Sequence, residues 1–323
     1  MRKLKVLHLL DNSNLGGIQE LILRLHLYSR HRHDFRAADG SMARELLSKG
    51  MVLWDGYTPD EALVQYDILV GHGVGGWAYD KDFYAAKQYY HQATVEVMHS
   101  IARSLTDPHL ADGFIALSDL ALEHNKHMRR AQRIYVPVET RLFPGQGQPG
   151  ALAIGRLSRL ADEKEAWRLP AIAMHFPGQA FLIAGDGPDR ERIELLAKRA
   201  SLSNLQLVGT VRDLPAFYAR LKLFVFPTRD ECCSAAVAQA QAAGLPVICS
   251  DIPALRETTG GYAVFCRSDF DFVNAVQSYL DFPSPFLRMA RYGQAWAATQ
   301  FSIERTVGAW DTYLEETVHG HHS

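Results

Sequence analysis

Glu231 lies between a short apolar run, Phe224-Val225-Phe226 closed by Pro227, and an alanine-rich segment that begins at Ser234. The run reads as a buried strand. The segment reads as a helix over 234–243 with Ser234 as its N-cap. Gly244 and Pro246 stop that helix, and Val247–Cys249 start the next strand. A loop carboxylate at the carboxyl end of a strand can grip hydroxyl groups, while the N–H groups of the helix start, at Ser234 and Ala235, hold a phosphate. Hydroxyls beside a phosphate describe a nucleotide-sugar. Breaking a sugar–diphosphate bond requires cations or N–H dipoles aimed at the leaving group. Arg156, one residue past Gly155 in an apolar run, Lys164 in the following loop and Arg159 between them are the candidates. Arginine offers a fork of donors and lysine a point charge. The sequence shows no convincing carboxylate cluster for a metal, so none is expected.

Other residues of chemical interest are scattered. Gly16-Gly17 follows the first strand and reads as a tight turn into the helix after it. His99 and His72 each end a strand. Cys232 and Cys233 have no oriented His–Asp partner in the sequence and read as inert thiols. Gly71-His-Gly-Val-Gly-Gly76, with Glu96 20 residues beyond Gly76, satisfies the dinucleotide fingerprint and carries a rival reading as an NAD-dependent dehydrogenase. Against that rival, the match is not on the first strand and has no catalytic pattern with it. Arg24, Arg30, Arg32 and Arg36, with His26, His31 and His33, read as a solvated helix end or as a contact for anionic lipid.

Strands must hold these residues at their ends. Lys5–Leu10, Asp67–Val70, Thr94–Met98, Gly113–Leu117 and Ile134–Val136 read as strands, with helices over about Ile18–Tyr28 and from Ser118 to about Met128. Past the Gly/Pro/Gln stretch Pro144–Gly150, a linker candidate, a second series follows: Ala151–Ile154, Ala180–Ala184, Leu205–Val208, Leu223–Phe226, Val247–Cys249 and Ala263–Phe265. Strand and helix alternate throughout, which predicts an α/β protein with doubly wound parallel sheets. The stretch from Phe301 to Leu314 has helical spacing, and the His319, His321, His322 tail reads as disordered.

A length of 323 residues suggests two domains. With 47% hydrophobic residues, 22% charged residues and a net charge of −2, nothing asks for nucleic acid. Four cysteines without metal-ligand spacing read as reduced cytosolic thiols. No apolar run approaches the ~18 residues of a membrane helix, and the apolar stretch near Met1, about five residues, is shorter than a signal sequence needs.

Pro227, Thr228, Glu231, Ala240, Ala242, Gly244, Pro246 and Val247 fit the donor-site motif of the retaining GT-B glycosyltransferases of family GT4, which this chain resembles. Ala153-Ile-Gly-Arg-Leu-Ser158, Phe181-Leu-Ile-Ala-Gly-Asp-Gly-Pro188, Val208-Gly-Thr-Val211 and Asp251-Ile-Pro253 match in kind and order. The resemblance implies two Rossmann-like domains facing a cleft: residues 1–147 on the acceptor side, 148–300 on the donor side, and a helix over 301–317 crossing back to the first. It implies transfer of a sugar from a UDP- or GDP-sugar, with retention and without metal or cofactor. The acceptor would be a glycan, lipid-linked or small-molecule hydroxyl, in glycan, lipopolysaccharide or glycolipid synthesis. The place would be the cytoplasm, extending to the inner face of the membrane. It assigns Glu231 to the sugar hydroxyls and Arg156 and Lys164, with Arg159 as a substitute for either, to the diphosphate. It assigns Ser234 and Ala235 to phosphate, Gln239 to the ribose, backbone around Val211 to the base, Gly16 and Gly17 to the diphosphate, and His99 to the neighbourhood of the sugar. Cys232-Cys-Ser234 replaces the family's glycine pair, Gln239 replaces its second Glu, and Val136-Pro-Val-Glu139 replaces its N-G-V-D. Those departures motivate the alternative of a non-catalytic nucleotide-sugar-binding relative.

Overall fold

The computed structural model describes residues 2–12, 16–38, 43–55, 63–73, 80–143 and 152–321. They form two units, Met1–Pro137 with Ile303–Ser323, and Val138–Ser302. In the first unit the strands are β1 (Lys5–Asn12), β2 (Arg32–Ala38), β3 (Leu53–Asp55), β4 (Ile68–Gly73), β5 (Ala93–Met98), β6 (Gly113–Ala116) and β7 (Ala131–Arg133). They make one sheet in the order β3-β2-β1-β4-β5-β6-β7. In the second unit β8 (Ala153–Leu157), β9 (Ala180–Ala184), β10 (Leu205–Gly209), β11 (Leu221–Phe226), β12 (Val247–Ser250) and β13 (Val264–Cys266) make a sheet in the order β10-β9-β8-β11-β12-β13. The pairings are parallel. Parallel strands are covered on both faces, so β4, β5 and β6 are buried at every position and read as continuous runs rather than alternating ones.

In each sheet the strand order reverses once, between β1 and β4 in the first and between β8 and β11 in the second. Open α/β sheets receive ligands at the carboxyl ends of the strands beside such a reversal. The loops after β8 and β11 carry Arg159, Lys164 and Glu231, and the turn after β1 carries Gly16 and Gly17. The topology alone therefore collects most of the residues singled out above at the two reversal points.

Several expectations are corrected. β2 and β3 were not anticipated: Arg32-His-Asp-Phe-Arg reads as polar, yet His33 and Asp34 are buried. β7 is Ala131–Arg133 rather than Ile134–Val136, because the parallel register with Phe114–Ala116 ends at Arg133. Ile134–Val136 is buried but lies beyond that ladder. The helix after Ser118 stops at His124, short of Met128. The division between units falls at Pro137/Val138, before the Pro144–Gly150 stretch, which lies outside the described residues. Val138 belongs to the second unit because its N–H donates to Phe301 O at 2.7 Å.

The last helix, Ile303–His321, packs within the first unit. Arg30 makes a two-pronged ion pair with Glu315 at 2.8 and 2.6 Å, the Tyr313 hydroxyl donates to Arg130 O at 2.9 Å, and Trp310 is fully buried. The helix runs through His319 and His321, and His321 Nδ1 lies 3.1 Å from the Asp112 carboxylate. Those two histidines are therefore ordered, and His322 lies outside the described residues. The arginines read as a lipid contact are matched internally: Arg24 with Glu20, Arg30 with Glu315, Arg32 with Asp34 and Arg36 with Asp82. Among the described residues no helix is long and apolar enough to cross a membrane.

Candidate active site

Two loops at the reversal point of the second sheet are stitched together. The β8 loop is shaped by Gly185 and Gly187 in the turn after β9. Both have positive φ, and a Cβ on either would overlap Ser158 O or Leu160 O. Only glycine tolerates that approach. Leu160 N–H then donates to Asp186 O at 2.9 Å. The β11 loop reaches across to the same place. Thr228 Oγ1 and the Arg229 N–H both donate to Glu163 O, at 3.0 and 2.9 Å, and Thr228 N–H donates to Ser250 Oγ at 2.9 Å.

Lys164 and Glu231 meet where the loops join. Lys164 Nζ lies 2.9 Å from Glu231 Oε1 and donates to Asp230 O at 3.0 Å. The Glu231 side chain is only 9% exposed and that of Lys164 21%. Burial pushes the Glu231 carboxyl above its usual range, while Lys164 and Arg156 pull it back. The pair is thus a buried carboxyl whose charged form is favoured by an adjacent ammonium against its burial.

Arg156 sits differently from the expectation that it meets a diphosphate. Its side chain is fully buried, donating to Pro227 O at 3.0 Å, Ser158 Oγ at 2.8 Å and Lys164 O at 2.8 Å, with its guanidinium 5.0 Å from the Phe226 ring centroid. Burial lowers its pKa to about 9, opposed by Glu231. Arg156 therefore ties both loops together from behind and positions Lys164, instead of facing outward. Arg159 is exposed and pairs with Glu163.

Ser234 caps the helix Ala235–Ala242 as expected, its Oγ accepting from Val237 N–H at 3.5 Å. A helix start leaves N–H groups without intrahelical partners, and here they open three residues past Glu231. One turn on, Gln239 is buried and its amide lies 3.2 Å from the Tyr218 hydroxyl, which also donates to Ala236 O at 2.9 Å. Tyr218 was not singled out from the sequence, and nothing in its spacing marks it. Val211 lies in the loop after β10, partly buried against the core. All four cysteines are free. Burial pushes the Cys266 thiol up to about 12 and Cys249 up as well, against any nucleophilic role for those two.

In the first unit Gly16 is the N-cap of the helix Gly17–Tyr28, in extended backbone, and a Cβ on Gly17 would meet nothing within 4 Å. Internal packing does not require a glycine there. His99 follows β5, its N–H donating to Gly73 O at 2.9 Å, and its Nε2 lies 2.8 Å from His72 Nδ1. The dinucleotide fingerprint fails on geometry. Gly71 and Gly73 lie inside β4, not in a turn, and Val74–Gly76 fall outside the described residues. Glu96 is buried within β5 and accepts from Ser104 Oγ at 2.9 and 2.7 Å. A carboxylate so engaged cannot hold a ribose. Among the described residues no group of three or more His, Cys, Asp or Glu is arranged to hold a metal.

Residues 148–281 match the family described as "Glycosyl transferases group 1". The 2-deoxystreptamine glucosyltransferase of Streptomyces kanamyceticus is 28% identical over 176 residues, 51% of this chain and 45% of that protein. The GDP-mannose-dependent alpha-mannosyltransferase of Mycolicibacterium smegmatis is 33% identical over 117 residues, 36% of this chain and 29% of that protein. These matches span less than half the length of either relative. Alr3699/HepE of Anabaena, solved with UDP and glucose, superposes with a TM-score of 0.80 at 16% identity, covering 98% of this chain and 99% of that one. A glycosyltransferase of Rickettsia africae superposes with a TM-score of 0.81 at 13% identity, covering 98% and 99%. Most of the second unit is therefore similar to the group 1 glycosyl transferases, and the chain as a whole has the GT-B fold that these glycosyltransferase structures share.

Proposed function

We propose that this chain is a retaining glycosyltransferase that moves a sugar from a nucleotide diphosphate-sugar to an acceptor hydroxyl. The observation that carries the reading is the Lys164–Glu231 pair, 2.9 Å apart at the reversal point of the second sheet, beside the capped start of the helix Ala235–Ala242. The Glu231 carboxyl accepts from hydroxyls of the donor sugar. An ammonium has three donors. Glu231 and Asp230 O take two of those on Lys164, and the third is available to a phosphoryl oxygen. The helix start adds N–H dipoles on the same side. Together they stabilise the charge that grows on the leaving diphosphate, the work a metal would otherwise do. Gln239 serves the ribose and Val211 backbone the base, and Gly16, Gly17 and His99 are the candidate ligand-binding residues of the first unit. No cofactor takes part. The acceptor class is a glycan, lipid-linked or small-molecule hydroxyl, and the cytoplasm is the compartment.

The test is a thermal-shift and nucleotide-release screen of UDP-, GDP- and ADP-sugars in EDTA. A true donor at about 100 times its dissociation constant adds roughly 2.7 kcal/mol of stability. Release of nucleotide that is lost in Glu231→Gln supports the reading. Stabilisation by a donor with no turnover in any acceptor mixture would favour the non-catalytic relative. Neither stabilisation nor release with any donor would overturn both.

A further inference from the structure

Four histidines in the first unit form a continuous chain of ring-to-ring hydrogen bonds. His33 Nδ1 lies 2.8 Å from His8 Nε2, His8 Nδ1 lies 2.8 Å from His72 Nε2, and His72 Nδ1 lies 2.8 Å from His99 Nε2. Successive ring centroids are 5.1, 5.0 and 5.1 Å apart. The register explains the alignment. His33 pairs with Val6 on β1, and His8 stands two residues beyond Val6. His8 pairs with Val70 on β4, and His72 stands two residues beyond Val70. His72 pairs with Val97 on β5, and His99 stands two residues beyond Val97. Residues two apart share a face, and so do register partners in parallel strands. The four rings therefore climb one face of the sheet diagonally, from buried His33 to His99 at the carboxyl end of β5, which is partly exposed. The ring nitrogens pair two by two instead of converging on one point, which excludes a shared metal.

Burial holds all four imidazoles neutral, with His33 and His99 lowered to about 3 and His8 and His72 well below the usual value. A neutral imidazole has one N–H and one lone pair. Each link then has a single direction, and the links must all point the same way. His33 Nε2, the inner end, is buried without a hydrogen-bond partner. An orphaned N–H is the costlier of the two unsatisfied states, so His33 Nε2 carries the lone pair and Nδ1 the proton. The chain is therefore polarised outward: His33 Nδ1–H to His8, His8 Nδ1–H to His72, His72 Nδ1–H to His99 Nε2.

We propose that His33, His8 and His72 are positioning residues that lock His99 in the tautomer presenting Nδ1–H. His99 then donates to an acceptor oxygen of the ligand, a hydroxyl or phosphoryl oxygen, and does not act as a base. The ligand assignment rests on the glycosyltransferase reading, whereas the tautomer lock does not.

The test is long-range ¹H–¹⁵N correlation spectroscopy on protein labelled at histidine. The expected spectrum at pH 6 shows four neutral rings, each protonated at Nδ1 and bare at Nε2. A proton on His99 Nε2, or titration of His99 between pH 5 and 7, would overturn the lock whether or not the protein turns over any donor. In His33→Leu, His8 loses its donor and His99 should give signals averaged over both tautomers. kcat/KM for a nucleotide-sugar should then fall on the order of fivefold, the worth of about one hydrogen bond, while the thermal shift produced by free UDP or GDP is kept. An unchanged His99 tautomer in His33→Leu refutes the coupling. If His33→Leu does not fold, His33→Gln, whose amide can still donate to His8, should keep the wild-type tautomer of His99, and loss of that tautomer in it also refutes the coupling. A locked tautomer with no turnover of any donor leaves the lock standing and counts against the glycosyltransferase reading alone.

Discussion

Replacing Lys164 by Met removes the ammonium that favours the charged form of Glu231 against its burial. At 2.9 Å and an effective dielectric constant near 20, the attraction across that pair is about 6 kcal/mol before desolvation. Desolvation of both charges takes most of this back, so the intact pair contributes little net stability. Breaking it is another matter, because Glu231, 9% exposed, is left facing only its partial attraction to Arg156. Protonation caps the cost. A carboxyl with a reference value of 4.5 can be neutralised for about 1.36 kcal/mol per pH unit above that value, so at most about 3.4 kcal/mol at pH 7. With Arg156 still in place, Lys164→Met should cost about 2 kcal/mol at pH 7. The sign of the pH dependence follows. The unpaired Glu231 has its folded pKa raised further, so the stability it contributes is fully present below pH 4.5, in the neutral form, and is lost as pH rises through the folded value. The deficit of Lys164→Met should therefore be near zero at pH 4 and reach its full size by pH 7. Urea denaturation at both pH values measures it, and Lys164→Met with Glu231→Gln should recover most of the loss at pH 7. A deficit of equal size at pH 4 and pH 7, or a double variant no more stable than Lys164→Met, would refute the electrostatic argument and leave Lys164 as a packing residue.

Arg156→Ala leaves Pro227 O and Lys164 O without their buried donor and should destabilise the second unit by about 3 kcal/mol, measured by urea unfolding. Activity should fall with it through misplacement of Lys164, and wild-type stability in this variant would show that the two loops hold without the guanidinium. Gln239→Leu should weaken nucleotide binding by about 1–3 kcal/mol, since it leaves a ligand hydroxyl unpaired in a closed site. Calorimetry giving wild-type affinity would place the Gln239 amide away from the nucleotide. Turnover should survive EDTA, and an activity abolished by chelation and restored by Mg²⁺ or Mn²⁺ would remove the charge-stabilising role from Lys164 and the helix start.

The second unit was legible because its signals are local. Its strands are short apolar runs, and its chemistry follows them within a few residues. Ala180–Ala184 was read to the residue, and the cap at Ser234 stands where the sequence places it. What failed there was orientation. Gly155-Arg156 at the end of an apolar run looks like a ligand-facing arginine, but strand side chains alternate, and nothing in the spacing says which face Arg156 takes. In the structure it faces the core, where two loop carbonyls and Ser158 Oγ make burial tolerable. The first unit was harder for the converse reason. β2 buries His33 and Asp34, so a strand one in from the sheet edge is written in residues that usually mark surface. Asp34 is held by Arg32, by the Val52 N–H at 3.0 Å and by the Tyr66 hydroxyl at 3.3 Å, contacts with partners up to 32 positions away.

Proton counting exposes the same limit at Gln239. The Tyr218 hydroxyl has one hydrogen and two acceptor oxygens within reach, Ala236 O at 2.9 Å and Gln239 Oε1 at 3.2 Å. Burial keeps that hydroxyl protonated, its pKa pushed well above the usual value. The nearer carbonyl takes the proton. Turning the Gln239 amide over then lets Nε2–H donate to the Tyr218 oxygen and presents Oε1 on the other side as an acceptor. A glutamate at this position has no hydrogen to give Tyr218 and would compete with Ala236 O for its only proton. Glutamine is thus the residue that suits a tyrosine at position 218. The departure from the family's second Glu thus has a structural reason in a neighbour 21 positions upstream in sequence.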